Sequence, residues 1–248
     1  MMLAAALTLA PGAAFSEETG SGASVTSGSS SVSSSGSSGW LLSGGPLGIG
    51  SNAFLGEVGW PGLDLSLVHG QSERRDLGGT FAFVYGLEGV PVIAPGLRLN
   101  AIVRLNLVDN GRYNIGLRTQ PGFVTYFPSS GTYTGKFCTL SGGNAVNCYT
   151  HSSYVTFGLT FPIEAVVGIN VHPLFSLNIG LSLPMTLLFV PDVSFVMPIE
   201  PGFGIEYKVD SNLSVTFDAR FGPSIFIIRG GSDAWFAFRT LAGVAYKF

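Results

Sequence analysis

Over Ser153–His172 the chain alternates almost without a break. Val155, Phe157, Leu159, Phe161, Ile163, Ala165, Val167, Ile169 and Val171 occupy the odd positions, and Tyr154, Thr156, Gly158, Thr160, Pro162, Glu164, Val166, Gly168 and Asn170 the even ones. A period of two places the sets on opposite faces of a sheet, one apolar and one small or polar. The design recurs downstream. Phe175, Leu177, Ile179 and Leu181 oppose Ser176, Asn178, Gly180 and Ser182, and Phe203, Ile205 and Tyr207 oppose Gly202, Gly204, Glu206 and Lys208. Leu213, Val215, Phe217 and Ala219 oppose Ser214, Thr216, Asp218 and Arg220, and Phe236, Phe238, Ala242 and Val244 oppose Trp235, Arg239 and Gly243. Upstream, shorter alternating runs cover 63–67, 80–88, 97–107 and 113–118, with Asn52–Trp60 the least regular.

Strands of this length suit a tilted crossing of a bilayer, which takes about 9–11 residues. The pattern therefore predicts an all-β fold, a transmembrane antiparallel up-and-down β-barrel of about ten strands, with about eight or twelve as alternatives. Asp109-Asn110-Gly111, His172-Pro173 and Asp210-Ser211-Asn212 have the chemistry of tight turns, whereas Pro128–Ser152 reads as a long connection. Short turns on one side and long loops on the other match an outer-membrane barrel whose chain ends on the inner side. The first third is less regular: Trp60-Pro61-Gly62 is short for an outer loop and Gly70–Gly78 long for an inner turn.

Composition narrows the choice. Hydrophobic residues make up 46% of the 248 and charged residues only 11%, against about 25% charged in an ordinary soluble domain. No apolar run suits a transmembrane helix: the closest, Leu181–Ile199, is broken by Pro184, Pro191, Asp192 and Pro198. A soluble β-sandwich or lipocalin-like barrel also alternates, but it would turn many more Lys and Glu toward water. The net charge of −3 and the scattered Lys and Arg give no footprint for nucleic acid.

The chain divides into three expected parts. Residues 1–16 read as a secretory signal, with Leu3–Ala10 as the apolar core and Ala14-Phe15-Ser16 as the cleavage site, although no Lys or Arg precedes the core. Residues 17–45 are a flexible leader dominated by Ser and Gly, too poor in apolar side chains to fold alone. Residues 46–248 form the barrel. Cys138 and Cys148 sit ten apart in the long connection; in an oxidising compartment they are expected to pair as a disulfide. Two Cys with only His151 nearby do not complete a metal site, and no cofactor is implied.

The ending Tyr246-Lys247-Phe248 resembles that of bacterial outer-membrane barrel proteins, which typically close on an alternating strand with a C-terminal Phe. That resemblance implies an outer-membrane location, outer-membrane lipid around the barrel, and recognition of Tyr246 and Phe248 by the barrel-assembly machinery. It implies no activity, and the oligomeric state is not readable.

The polar face carries the candidate site. Glu57, Asp64, Glu88, Glu164, Glu200, Glu206 and Asp218 should face Arg98, Arg104, Arg118, Arg220 and Arg239 across the lumen. A tube of about ten strands is narrow, so these groups are expected to form an ion network rather than line a wide pore. Arg suits this role because its planar fork pairs bidentately with carboxylates. A closed structural or surface-presenting barrel is the expected function, a narrow passive-diffusion channel the alternative. An enzyme is not expected. His151-x-Ser153 with Glu164 downstream resembles barrel lipid A deacylases, but by parity Glu164 falls on the opposite face from His151, so it could not orient that ring.

Overall fold

The computed structural model describes residues 42, 44–89, 94–128, 137–141, 145–149, 155–189, 193–228 and 231–248. Fourteen strands are present among them and no helix: β1 (Asn52–Trp60), β2 (Gly62–Gly70), β3 (Arg75–Val84), β4 (Gly96–Asp109), β5 (Tyr113–Thr119), β6 (Gly122–Tyr126), β7 (Phe137–Ser141), β8 (Ala145–Tyr149), β9 (Thr156–His172), β10 (Phe175–Leu188), β11 (Ser194–Pro198), β12 (Glu200–Lys208), β13 (Leu213–Ile228) and β14 (Gly231–Lys247).

Twelve of these strands make ten staves, because two staves are each built from two pieces. β5 and β6 both pair with β4 and β9, split at Gln120-Pro121. β11 and β12 both pair with β10 and β13, split at Ile199 between Pro198 and Pro201. Proline lacks the N–H that a ladder needs, and Pro121 and Pro198 lie at the two breaks, whereas Pro162, Pro184 and Pro223 sit within unbroken strands. The seams stay closed, since Gln120 N–H donates to Pro162 O at 3.0 Å and Ile199 N–H to Pro223 O at 2.8 Å.

All neighbouring staves are antiparallel, and β1 meets β14 in a register running from Ala53↔Lys247 to Trp60↔Thr240, which closes the all-β barrel. Beyond that ladder Asn52 and Phe248 exchange both backbone hydrogen bonds, at 2.9 and 2.8 Å. Closure leaves no edge, so every stave has its backbone groups satisfied on both sides.

The connections follow the sequence reading in part. At Asp109–Gly111, Asp109 Oδ1 accepts from Gly111 N–H at 2.9 Å and Asn110 Oδ1 from Tyr113 N–H at 2.9 Å. Asp210 Oδ1 likewise accepts from Asn212 and Leu213 N–H. The expected long turn at Gly70–Gly78 is shorter, because β3 begins at Arg75 and brings Asp76 into the ladder opposite Gly70. The end bearing both chain termini of the barrel is called the inner end below. At the opposite end β7 and β8 form a hairpin of their own.

Large apolar side chains face outward around the barrel: Phe54, Leu67, Phe81, Leu99, Phe157, Ile179, Phe203, Phe221, Phe238 and Val244 are all exposed. The lumen holds more apolar residues than the alternation implied. Ala53, Leu55, Val68, Ile102 and Ala245 cluster near the inner end around Leu47, and Ala82, Val84, Ala94, Val124, Tyr126 and Leu188 cluster near the outer end.

Candidate functional site

The polar residues between those two apolar layers come from staves far apart in sequence. All twelve charges expected in the lumen have buried or half-buried side chains, and most of them join in pairs. The central chain begins with Glu88, whose Oε1 lies 3.8 Å from Arg239 on β14. Arg239 donates to Asp218 Oδ1 on β13 at 3.2 Å. Asp218 accepts from Arg220 Nε at 2.9 Å. Arg220 donates in turn to Glu164 Oε1 on β9, and Glu164 Oε2 accepts from Arg118 Nε on β5 at 3.0 Å. Asp218 and Arg220 lie two apart on one strand, hence on the same face, and the register sets Arg220 directly opposite Arg239. Carboxylates therefore stand between guanidinium groups that would otherwise repel.

Two pairs lie outside this chain. Arg98 donates to Asp64 Oδ2 at 2.8 Å, joining β4 to β2 across β3. Arg104 lies 3.3 Å from Asp76, which sequence reasoning had left in a turn. The signal for Asp76 was its parity with Thr80 and Ala82, which also face inward. Glu57 and Glu200 are buried and make no ion pair among the described residues. Glu57 lies near Arg118, Asp64 and Asp218, and Glu200 near Glu88 and Arg239. Glu206 reaches toward the inner end, where Oε2 accepts from Leu42 N–H at 3.1 Å.

That last contact belongs to a feature the sequence did not disclose. The end of the expected flexible leader is held inside the inner mouth. Asn106 Nδ2 donates to Gly44 O and Arg104 to Gly45 O, both at 2.9 Å. Asp76 accepts from Leu47 N–H at 3.3 Å, and Lys247 Nζ donates to Leu47 O at 2.7 Å. Leu47 is 1% exposed and completes the inner apolar layer. Burying such a side chain contributes about 1.5–3 kcal/mol, and each hydrogen bond about 0.5–1.5 kcal/mol. Ordering Gly44–Leu47 costs about 1–2 kcal/mol per residue, so packing and polar contacts together balance that cost. Leu42, Gly44 and Gly45, expected at the end of the leader, thus contact Glu206, Asn106 and Arg104 of the barrel.

The outer mouth is narrowed by the link between β3 and β4. Tyr85 N–H donates to Pro61 O at 2.9 Å and Ala94 N–H to Tyr85 O at 3.1 Å. Leu87 packs on the outer apolar layer. A Cβ on Gly89 would stand 2.4 Å from Ser224 Oγ, so the link runs hard against the inner wall of β13. Between the two ends, a cavity of about 40 Å³ is lined by Glu57, Asp64, Arg98, Arg118, Asp218 and Arg239 among others. One water needs about 10–15 Å³ of such space, so the cavity holds a few waters and no larger solute.

The remaining candidates sort by location. His69 is exposed, its Nδ1 2.9 Å from Asn52 Oδ1, and His172 Nδ1 accepts from Leu174 N–H at 3.2 Å in its turn. His151 and Ser153 lie outside the described residues, as does the expected signal at 1–16. The backbone register opposes Cys138 to Cys148 in the β7–β8 hairpin; their side chains lie outside what is described. Tyr246 and Phe248 are outward-facing and exposed at the inner rim, their rings stacked with centroids 6.3 Å apart. Trp60 stacks on Phe238 at 5.6 Å and meets Tyr85 edge-on at 5.8 Å at the outer rim.

No protein-family model matches the chain, and no curated protein matches it. Among solved structures it is similar to the outer membrane protease OmpT from Escherichia coli, at 11% identity and a TM-score of 0.41, over 80% of this chain and 96% of that one. It is also similar to the KdgM porin, solved in complex with disordered oligogalacturonate, at 9% identity and a TM-score of 0.32, over 80% of this chain and 99% of that one. At these values no residue role passes from either protein to this one.

Proposed function

We propose that the protein is a bacterial outer-membrane β-barrel with a closed lumen, a structural element that presents the β7–β8 hairpin outside the cell. The outward band of aromatic and aliphatic side chains supports immersion in lipid, since about 25 Å of apolar wall is what such barrels expose. The short turns then face the periplasm. Residues 1–16 serve as the export signal, Cys138 and Cys148 form a disulfide in the exposed hairpin, and the strand ending in Tyr246 and Phe248 is what the assembly machinery reads. No catalytic role is proposed; His69 and His172 make local contacts at the inner end, to Asn52 and to Leu174 N–H.

One observation supports the reading: Leu47 with the inner apolar layer, the ion chain, and Leu87 with the outer layer follow one another along the bore, leaving among the described residues only small cavities such as the one of about 40 Å³ between them. Refolded protein in planar bilayers is expected to give no stepwise conductance. Steady conductance from the unmutated protein would overturn closure. A narrow channel is the second reading, favoured by the fact that the segments at the two mouths, residues 44–47 and 85–89, are not staves.

A further inference from the structure

The outer end of the ion chain carries one acid too many. Glu88, Asp218 and Glu164 face Arg239, Arg220 and Arg118, so the chain by itself is neutral, three against three. Glu200 stands beside its first member, Glu88, and adds a fourth carboxyl. Glu200 is 0% exposed. Neither of its oxygens has a hydrogen-bond partner among the described residues, and neither has Glu88 Oε1, which lies 3.8 Å from Arg239. A buried carboxylate with no donor is strongly destabilising.

One proton removes the conflict. On Glu200 it supplies an O–H that the orphaned Glu88 Oε1 can accept, and it leaves three negative charges against three positive ones. The charged groups facing Glu200 from β14 and β13 are Arg239 and Arg220, and both are already engaged with Asp218. From β10 the register sets Ser182 opposite Glu200, and from β6 Tyr126 faces Glu88. Two carboxyls this close hold one proton between them rather than ionise together.

The pair joins two different parts of the barrel. Glu200 begins β12 in the wall, whereas Glu88 is carried by residues 85–89, which narrow the outer mouth and are not a stave. Gly89, with φ of +86°, turns this segment onto the wall, where a Cβ would meet Ser224 Oγ at 2.4 Å and Pro198 Cγ at 2.7 Å. We propose that one proton shared by Glu88 and Glu200 latches residues 85–89 against the wall of the outer mouth, and that its loss at alkaline pH releases them. With the proton, the two carboxyls attract through a hydrogen bond. Without it, two carboxylates repel in a site of low dielectric. The latch is therefore closed on the acid side and open on the alkaline side. It rests on the closed-barrel reading above, and a heat-modifiable shift on gels checks the barrel separately.

Two measurements on the refolded full-length chain in lipid vesicles test the latch. In infrared spectra at neutral pH the unmutated chain is expected to show a carboxylic-acid C=O band that Glu200→Gln loses. The second measurement reads the release. Ser224 is 0% exposed and lies against Gly89; Ser224→Cys, with Cys138→Ser and Cys148→Ser, places a single thiol there. Its rate of reaction with iodoacetamide is divided by that of the same chain unfolded at the same pH. The ratio is expected to climb with pH, approaching about tenfold per pH unit as release of one proton requires. Adding Glu200→Gln, whose amide keeps a donor toward Glu88 without the charge, is expected to make the ratio flat. A ratio that is flat without Glu200→Gln, or an acid band unchanged by it, would overturn the latch and leave the barrel standing. A ratio that follows sodium or potassium concentration at fixed pH, with no acid band, would put a cation in place of the proton and overturn it as well. Absence of the gel shift in the unmutated chain would refute the barrel itself. Should Glu200→Gln fail to shift, Glu88→Gln replaces it, with the same flat ratio expected.

Discussion

Arg220 is the residue on which the proposed closed lumen most depends. Its side chain is 1% exposed, and its guanidinium joins two carboxylates, donating to Asp218 at 2.9 and 3.1 Å and to Glu164. Arg220→Met keeps the bulk of the stem and removes the charge. Glu164 would retain Arg118, and Asp218 would retain Arg239, so neither acid is stripped of every partner. Removing one member of a buried pair costs about 3–5 kcal/mol; with those partners kept, a loss of about 3 kcal/mol is expected, at the lower edge of that range. Adding Glu164→Gln to Arg220→Met cancels the surplus negative charge, so the double variant should be more stable than the sum of the two single losses implies, by about 1–3 kcal/mol. The assay is a urea titration of folded protein in lipid vesicles, read by the heat-modifiable band. A water-filled bore would screen these charges as exposed pairs are screened, and each would then be worth about 1 kcal/mol or less. A loss below about 0.5 kcal/mol for Arg220→Met, or strict additivity in the cycle, would therefore refute the closed, low-dielectric lumen.

Other outcomes follow from the same geometry. Phe221 is exposed near the middle of β13, and Phe221→Arg is expected to cost about 2–4 kcal/mol in lipid vesicles; a neutral result would refute lipid contact on that face. Because the hairpin register opposes Cys138 to Cys148, intact cells should show no maleimide labelling of either residue until a reductant is added. Labelling without reduction would rule out the disulfide. Phe248→Ala, at the stacked rim pair with Tyr246, is expected to lower the heat-modifiable fraction in cells while refolding in detergent is unchanged. Equal loss in both settings would make Phe248 a packing residue and not an assembly signal.

Inward and outward faces were legible residue by residue wherever strands ran long and regular. Within β9, Phe157, Phe161, Ile163 and Val167 are exposed while Thr160 and Glu164 are buried, as a period of two requires. The count of ten held even where Pro121 and Pro198 cut two staves into pieces, but legibility failed in the first third, where Gly70–Gly78 reads as a turn although β3 begins at Arg75. It failed again at Leu55, Val68 and Ile102: apolar residues on the inward face look like lapses in the pattern until Leu47 is there to pack on them. Asp76 was misjudged for a related reason. Flanked by Arg74-Arg75 and Gly78, it has the look of a turn, and only its partners Leu47 and Arg104 explain its burial.

By itself the sequence determined the sheet, its two faces and the placement of twelve charges on the inward one, because side-chain direction in a strand is local and needs no knowledge of the partner strand. It could not say who meets whom across the bore. Glu164 meets Arg220 at a separation of 56 residues, and Arg239 meets Asp218 at 21, pairings set by how the closed staves are tilted and staggered. Nor could it say that a Ser/Gly-rich leader ends as part of the barrel. Gly44–Leu47 has too little apolar surface to order itself, and it is ordered only because closure had already assembled a mouth lined by Asp76, Arg104, Asn106 and Lys247 to receive its backbone.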